Sequence, residues 1–554
     1  MVHLLPEHLS TEEFPAATVY EKTGESITIA FNHEPPDWLD KEHTYQLHRS
    51  VNRQTYKRML EALEDVFQTR NTRLALFRDI SLGEKKASMK EGSDPVRWLD
   101  ESLNVAQKKS VEMALAAKDV ALVHGPPGTG KTTALIEIIR QSVLRKESIF
   151  VSAPSNTACD NILERLVDKG INALRLGHPA RITETLREHT LDFKLALHPL
   201  GRAIAEAQME LTHLFKKEER YRDRRSPGRD AESELRREIS FLKQEIKNMR
   251  QEVFKLVMKE AEVIVGTPAG IQDKSIREKT FDVVVLDEAT QATEPISWIP
   301  VRRGKKIIMA GDHFQLPPTV RSKEAEERGL GISLFERFYD VLEAPFKTLL
   351  DRQYRMNEKI MGFSSRMFYK NLLVADESVK TQTLVGLPGV QDSPETREML
   401  VFIDTAGKGF EEKLEEGSES RYNPEEAELV LRELKKMLAL GVPPSEIAVI
   451  CPYSAQVRFL SSRLTDIPVE IDSVDGFQGR EKEFVIVSLV RSNMSGEIGF
   501  LADTRRMNVA MTRARRKLLV IGDSATMSSI PFYKSFFKYA EEAGGYKSVW
   551  ELEE

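Results

Sequence analysis

Apolar residues gather in short runs along most of the chain. The runs in "VALVHG", "SIFVSAPS" and "DVVVLDE" have the length and composition of buried strands, and a segment of helical period, "KTTALIEIIRQSV", follows the first of them. A second set of runs comes later, in "MLVFID", "EIAVICPY", "EFVIVSLV" and "KLLVIGD". Strands that alternate with helices predict an α/β fold built on two parallel sheets.

Other segments depart from this pattern. Residues 17–31 alternate in polarity and predict a β-hairpin with its turn at Lys22–Gly24. Apolar residues near helical spacing predict one long helix over about 46–70, and 83–98 is typical of a linker. Between 201 and 257, apolar residues recur every three or four positions, with a break at "RRSPGRD". We interpret this segment as an antiparallel helical hairpin inserted into the α/β pattern.

Composition narrows the functional classes. A chain of 554 residues is too long for one ordinary core, and 41% apolar residues exclude global disorder. The net charge of −6 means that any nucleic-acid binding depends on local basic surfaces. Cys159 and Cys451 are too few for a disulfide framework or a cysteine-based zinc module. They fit a reducing compartment, so we expect a cytoplasmic protein, or also a nuclear one in a eukaryote.

Membrane and secretory signals are not expected. The N-terminus "MVHLLPEHLSTEEF" lacks the basic start and the apolar run of a signal peptide. No window reaches the ~18 consecutive apolar residues that a spanning helix needs.

The segment "GPPGTGKT" at 125–132 fits a P-loop, with a strand pattern before it and a helix pattern after it. Glycines let backbone N–H groups turn towards phosphates, and the helix N-terminus adds positive potential. In this pattern Lys131 reaches the β- and γ-phosphate oxygens and Thr132 holds Mg²⁺. The predicted ATP site comprises Gly125, Pro126, Pro127, Gly128, Thr129, Gly130, Lys131, Thr132 and Thr133.

Two adjacent carboxylates end the apolar run of "VVVLDEATQ". Asp287 is suited to hold Mg²⁺ together with Thr132, and Glu288 is suited to polarise the attacking water. Acids at a strand end also serve as N-caps of the next helix, and this stretch alone does not decide between the two roles.

Four cations crowd the stretch "NVAMTRARRK" at 508–517. They are Arg513, Arg515, Arg516 and Lys517. A solvated helix face is one interpretation, and a negatively charged ligand is the other.

The motifs together resemble the superfamily 1 helicases, in the 5′→3′ branch that includes the nonsense-mediated-decay helicase and the immunoglobulin-mu-binding-protein helicase. Eleven matching segments occur in the family's order between residues 103 and 524. They are "LNVAQ", "GPPGTGKT", "SAPSNTACDNI", "LRLGHPARI", "VGTPAG", "DEATQATEP", "GDHFQLPP", "LDRQYRM", "CPYSAQ", "SVDGFQGREKE" and "NVAMTRAR".

This resemblance implies an ATP-hydrolysing helicase with two RecA-like domains and ATP between them. Arg513 in "TRAR" and Arg355 in "QYRM" match arginine fingers, whose planar forks suit the equatorial oxygens of a transferring phosphoryl group. Gln315 matches the γ-phosphate sensor. Arg515, Arg516 and Lys517 have no such role and are expected to face the surface or the nucleic acid.

Three further residues take nucleotide-binding roles from the resemblance. Gln107 matches the glutamine that reads the adenine edge. Tyr354 matches the aromatic residue that stacks on adenine, although a core tyrosine is the other interpretation of that residue. Glu481 matches the acid near the ribose.

The resemblance also implies contacts with single-stranded or tailed duplex DNA or RNA. Small polar groups at strand ends suit backbone contacts that do not depend on sequence. The matching positions are Ser155, Asn156, Thr267, Tyr453, Gln456 and Ser473. Local helix capping is the alternative for each.

We predict four domains. Residues 1–45 would form a partial β-barrel and 46–98 a stalk helix with a linker, because the segment before "LNVAQ" is shorter than the barrel and stalk of the family. Residues 99–325 would form the first RecA-like domain, with a helical insertion at 200–258, and 326–554 the second. We expect a monomer.

Two other functional classes compete with a helicase. A P-loop ATPase that remodels proteins would take its arginine finger from a neighbouring subunit and needs no "QYRM". A non-catalytic clamp would lack Lys131 or Glu288, and both are present. A third possibility stays within the family: a strand-stimulated ATPase that remodels protein–nucleic acid complexes with little unwinding.

Overall fold

The computed structural model describes residues 2–6, 16–22, 26–31, 39, 44–49, 53–92, 95–177, 181–223, 229–270, 276, 279–464 and 467–552. The strands are β1 Val2–Pro6, β2 Ala16–Lys22, β3 Ile27–Phe31, β4 Tyr45–Arg49, β5 Val120–His124, β6 Ile149–Ser152, β7 Ala173–Leu176, β8 Val263–Gly266, β9 Phe281–Leu286, β10 Gly304–Gly311, β11 Lys347–Leu349, β12 Arg352–Gln353, β13 Val374–Ala375, β14 Leu400–Asp404, β15 Lys413–Leu414, β16 Arg421–Tyr422, β17 Ile447–Cys451, β18 Glu470–Ser473, β19 Lys482–Ser488, β20 Ala514–Gly522 and β21 Tyr546–Ser548. The helices of seven or more residues are α1 Arg53–Gln68, α2 Arg73–Ser81, α3 Val105–Ala116, α4 Lys131–Leu144, α5 Asn156–Asp168, α6 Leu191–Leu197, α7 Pro199–Asp223, α8 Arg229–Glu260, α9 Glu294–Val301, α10 Leu334–Val341, α11 Glu358–Phe368, α12 Pro424–Ala439, α13 Ser454–Ser461, α14 Thr504–Met511 and α15 Pro531–Glu542.

The first four strands form an antiparallel sheet in the order β3-β2-β1-β4. The predicted hairpin is confirmed, since β2 pairs with β3, while the turn at 23–25 lies outside the described residues. The single helix predicted over 46–70 is wrong at its start. Residues 45–49 pair with β1, with Leu47 opposite Leu4, and α1 begins only at Arg53. Hydrogen bonds to a strand some forty positions away make this segment a strand, and the local spacing of apolar residues does not contain that information.

The α/β fold with two parallel sheets is confirmed. The larger sheet has seven strands in the order β11-β5-β10-β9-β6-β8-β7, and the other has six in the order β18-β17-β19-β20-β14-β21. Strands β6 to β10 pair in parallel, as do β5 and β11. Every pair within the six-stranded sheet is also parallel. Polar residues that follow the carboxyl ends of such strands are thereby brought to one edge of each sheet.

The inserted helical hairpin is also present. Helices α7 and α8 pack against each other between β7 and β8, and residues 224–228 between the two helices lie outside the described residues. Leu235, Ile239, Leu242 and Ile246 on α8 are buried, as their spacing of three or four residues predicts.

The chain divides into two compact units. Unit 1 contains residues 1–100, 114–121 and 135–309, and unit 2 contains 101–113, 122–134 and 310–554. Strands β5 and β10 contribute residues to both. The four domain boundaries given above stay a prediction.

Unit 2 has two hydrophobic clusters that share the strands of its six-stranded sheet. Leu400 and Phe402 of β14 belong to one cluster, whereas Val401 and Ile403 belong to the other. Alternate residues of a strand point to opposite faces, so the clusters cover both faces of the sheet. Among the described residues, no helix combines the length and the apolar character needed to cross a membrane.

Candidate nucleotide and nucleic-acid sites

The predicted P-loop lies between β5 and α4, which begins at Lys131. Gly128 and Gly130 have φ angles of +74° and +72°, which favour glycine. A Cβ on Gly130 would come within 2.5 Å of Gln107 Nε2, and one on Gly128 within 2.6 Å of Arg355 Cβ. The glycines are therefore required by their backbone angles and by close neighbours. The Thr129 hydroxyl closes the loop by donating to Pro126 O at 2.7 Å.

The two acids follow β9 in unit 1. Asp287 is buried, and its N–H donates to Ser152 O at 2.9 Å. Glu288 adopts φ +48°, ψ +38°, a left-handed conformation that is uncommon for a residue with a side chain. Glu288 makes no side-chain capping bond to the turn that follows, and its Oε2 accepts from Gln291 Nε2 at 2.8 Å. These contacts do not support the N-cap alternative for Glu288.

Both predicted arginine fingers lie in unit 2, as do the P-loop and Gln315. Arg513 is 3% exposed, and its side chain donates to Val509 O at 3.0 Å and to Gln315 Oε1 at 3.0 Å. Arg355 pairs with Glu481 and donates to Thr512 O at 3.2 Å. The structure therefore brings the two arginines and the predicted sensor into one group.

The other three cations of "TRARRK" have partners within the protein. Arg515 and Arg516 share the Glu483 carboxylate, at 2.8 and 2.6 Å. Lys517 is 3% exposed and donates to Glu395 O and Glu398 O at 2.8 and 3.0 Å. The prediction that Lys517 faces the surface or the nucleic acid is wrong. Strand β20 lies between β19 and β14, and Lys517 on this strand is buried. Burial lowers the pKa of Lys517 to about 8.

The predicted adenine-binding site is organised around Gln107 at the start of α3. Its Oε1 accepts from Asn104 N at 3.0 Å, and its Nε2 donates to Thr129 O at 3.0 Å. In this conformation Gln107 ties α3 to the P-loop. Tyr354 is 37% exposed, so the core alternative for this residue is wrong. Its hydroxyl accepts from Asn104 Nδ2 at 2.9 Å, and its N–H donates to Gly128 O at 2.8 Å.

Tyr354→Ala should raise the KM for ATP by about 10-fold, because stacking of a base on an aromatic ring contributes roughly 1–3 kcal/mol. Tyr354→Phe keeps the ring and loses only the bond to Asn104, so it should change the KM by less than about 3-fold. Steady-state ATP hydrolysis measures both. Equal changes in the two variants would show that the ring does not stack on the base.

Three predicted nucleic-acid residues follow strands of unit 1. Ser155 caps α5 by accepting from Ala158 N at 3.1 Å, and Asn156 Oδ1 accepts from Arg175 at 3.0 Å. Thr267 follows β8, and its carbonyl closes a tight turn with Gly270 N at 2.8 Å. Ser155 therefore caps a helix, which was the alternative to a nucleic-acid contact. Its contact with nucleic acid stays a prediction.

The other three lie in unit 2. The Tyr453 hydroxyl accepts from Arg491 at 3.1 Å, and Ser473 Oγ accepts from Gly476 N at 3.1 Å. Gln456 is fully buried, and its amide bonds to Asn423 N at 2.9 Å and to Ser488 Oγ at 3.1 Å. The prediction that Gln456 contacts nucleic acid directly is therefore wrong in this conformation. Its side chain is buried, and its hydrogen bonds join Asn423 to Ser488 below the surface.

Comparison with known proteins adds the decisive observation. Two family models described as AAA domains match residues 102–323 and 330–525. An uncharacterized ATP-dependent helicase of Methanocaldococcus jannaschii is 37% identical over 93% of this chain and 81% of its own length. The DNA polymerase alpha-associated DNA helicase A of Schizosaccharomyces pombe is 38% identical over 89% of this chain and 75% of its own.

This chain belongs to the superfamily 1 helicases.

The DNA-binding protein SMUBP-2 of Mesocricetus auratus is 41% identical over 96% of this chain, and this chain spans 54% of that relative's length. Among solved structures, the arterivirus nonstructural protein 10 (helicase) aligns over 76% of this chain and 63% of its own, at 14% identity and a TM-score of 0.35.

The chain also contains a buried polar centre that the motifs of the sequence do not reveal. The histidines show no ligand spacing in the sequence, yet His124, Asp312 and His313 come together with their ligand atoms within 4.8 Å. Both Asp312 oxygens already accept two bonds each: Oδ1 from His124 Nε2 at 3.0 Å and Phe314 N at 3.1 Å, and Oδ2 from Tyr369 at 2.7 Å and Gln315 at 2.8 Å. Four donors fill the acceptor capacity of a carboxylate, so this centre is a hydrogen-bond hub.

The ionisation of the hub follows from its surroundings. Burial alone would raise the pKa of Asp312, but hydrogen bonds from His124, Tyr369 and Gln315 hold it below the usual value. Burial, together with the neighbouring His124, lowers the pKa of His313 to about 4. We therefore expect a charged Asp312 beside a neutral His313 at neutral pH. Asp312, His313, Phe314 and Gln315 stand in the segment "GDHFQLPP", whereas His124 and Tyr369 lie outside the eleven segments.

Proposed function

We propose that this chain is an ATP-dependent helicase and translocase that moves 5′→3′ along single-stranded DNA or RNA. The observation that carries the proposal is the grouping of the P-loop, Gln315, Arg355 and Arg513 within one compact unit. A P-loop binds the phosphates of a nucleotide, and two arginines beside a sensor amide suit the charge that develops during phosphoryl transfer. The relatives named helicases support the same assignment.

ATP and Mg²⁺ are the proposed cofactors. Mg²⁺ prefers oxygen ligands, and the hydroxyl of Thr132 and the carboxylate of Asp287 are donors of that kind. The ion would neutralise charge on the phosphates. Lys131 would bind the β- and γ-phosphate oxygens, and Glu288 would orient and deprotonate the attacking water.

Single-stranded or tailed duplex nucleic acid is the proposed substrate. The proposed contacts are five residues that each lie near a strand end: Ser155, Asn156, Thr267, Tyr453 and Ser473. There they would contact the phosphodiester backbone and not the base edges, so binding would not depend on sequence. We further propose that the chain acts as a monomer, in the cytoplasm or also in a nucleus.

The proposal predicts Mg²⁺-dependent ATP hydrolysis that increases at least ~10-fold when single-stranded DNA or RNA is added. Unwinding is measured with DNA and RNA duplexes that carry either a 5′ or a 3′ tail, and a 5′-tailed duplex should be the better substrate. Stimulation without unwinding would favour the remodelling ATPase instead. Hydrolysis that does not respond to nucleic acid would contradict both.

A further inference from the structure

A closed ring of hydrogen bonds links Asp312 to helix α14, which leads into Arg513. On one side, the Tyr369 hydroxyl donates to Asp312 Oδ2 at 2.7 Å and accepts from Asn508 Nδ2 at 3.3 Å. Asn508 lies in the last turn of α14, which ends at Met511, two residues before Arg513. The bonds between Tyr369 and its neighbours therefore connect α14 to Asp312.

The other side of the ring returns to the same helix. Gln315 Nε2 donates to Asp312 Oδ2 at 2.8 Å, and Arg513 donates to Gln315 Oε1 at 3.0 Å. The Nε of Arg513 donates to Val509 O on α14 at 3.0 Å. Every member of the ring lies in unit 2.

The side chains that close the ring are shielded from water. Asp312, Tyr369 and Asn508 are each 2% exposed or less. Tyr369 also packs edge-on against Phe314, with ring centroids 5.5 Å apart. In such surroundings a lost bond is not replaced by water, so the remaining groups have to rearrange.

The ring fixes which way the Gln315 amide points. An amide has a donor end and an acceptor end, and a carboxylate only accepts. Because the NH₂ group of Gln315 is taken by Asp312, its carbonyl oxygen faces Arg513. A reversed amide would place that oxygen against the Asp312 carboxylate and an NH₂ group against the guanidinium, and both contacts would be repulsive.

We propose that Tyr369 is a positioning residue for ATP hydrolysis. Its hydroxyl donates to Asp312 Oδ2, the same oxygen that accepts from Gln315 Nε2. By fixing the position of that oxygen, Tyr369 orients the amide of Gln315 and, through it, the side chain of Arg513. The hydroxyl of Tyr369 bonds to Asp312 and to Asn508, and Tyr369 stands outside the eleven family segments. The inference rests on the proposed function, since it concerns the same hydrolysis step.

Tyr369→Phe removes only the hydroxyl and tests this inference. The matched control is Tyr533→Phe, since Tyr533 is a buried tyrosine of the same hydrophobic cluster whose hydroxyl donates to Leu501 O at 2.8 Å. We expect Tyr369→Phe to lower the kcat of strand-stimulated hydrolysis by ~10-fold, the scale of one charge-assisted hydrogen bond. The KM for ATP should stay within about 2-fold, and Tyr533→Phe should keep both constants.

A double-mutant cycle separates positioning from general destabilisation. In a Gln315→Ala background, Tyr369→Phe should have almost no further effect on kcat, because the amide that it orients is gone. An equal loss of kcat in both backgrounds, or the same loss in Tyr533→Phe, overturns the inference alone. If the unaltered chain shows no strand-stimulated hydrolysis, the proposed function fails and this inference fails with it.

Discussion

Arg513→Ala should lower strand-stimulated ATP turnover by ~10³-fold or more, the scale of arginine fingers in related phosphoryl transfer. The geometry supports this size of effect. Arg513 is held at three points: its side chain donates to Val509 O, to Arg480 O and to Gln315 Oε1. A guanidinium that is already oriented loses little freedom when it meets a developing charge, so its removal takes away a preformed contact.

The control for this prediction comes from the same cluster. Arg516→Ala removes an arginine three residues away, whose partners are Glu483 and the Thr383 carbonyl. Turnover should change less than ~3-fold in Arg516→Ala, and ATP affinity should change little in either variant. Arg513→Lys keeps the charge without the fork and should recover only a small part of the rate. If Arg513→Ala and Arg516→Ala lose turnover equally, the cluster acts as diffuse charge and the assignment is wrong.

The sequence predicts the fold wherever the hydrophobic pattern is local. The buried strands and the hairpin of α7 and α8 follow directly from runs and spacings of apolar residues. Residues 45–49 show the limit, because their strand exists through pairing with β1. Lys517 shows another limit. Its charge suggests a surface position, yet β20 is a central strand, and the backbone carbonyls of Glu395 and Glu398 accept hydrogen bonds from its Nζ.

The residues of the candidate site also fall into two groups, those that the sequence predicts and those that only the fold reveals. Motif residues such as Lys131, Gln315 and Arg513 can be found from sequence because their spacing is fixed by the chemistry of a phosphate loop and its partners. Tyr369 cannot, since it stands outside the motifs and acts through a side chain that only the fold brings near. Asn104 stands in "LNVAQ", but its bond to the Tyr354 hydroxyl appears only in the fold. Gln107 is found by its motif, yet its bonds to Asn104 and to Thr129 show a role in holding the P-loop that spacing alone does not reveal.

Glu288→Gln should lower ATP turnover by at least ~10²-fold while ATP binding persists, because general-base assistance is typically of that size. The substitution is nearly isosteric, which matters at this position. Glu288 occupies a left-handed backbone conformation, and its Oε2 accepts from Gln291 Nε2 at 2.8 Å. A glutamine in its place keeps the side-chain length and the same backbone constraints, so the change tests the carboxylate itself.

Two measurements decide this last prediction. Single-turnover hydrolysis reports the chemical step, and binding of a fluorescent ATP analogue reports whether the site is intact. Glu164→Gln, on the exposed side of α5 in the same unit, is the matched control and should leave both unchanged. Weakened binding in Glu288→Gln with a normal single-turnover rate would assign the carboxylate to ligand binding. An unchanged rate with unchanged binding would remove Glu288 from the mechanism, and the left-handed backbone at this strand end would then need another explanation.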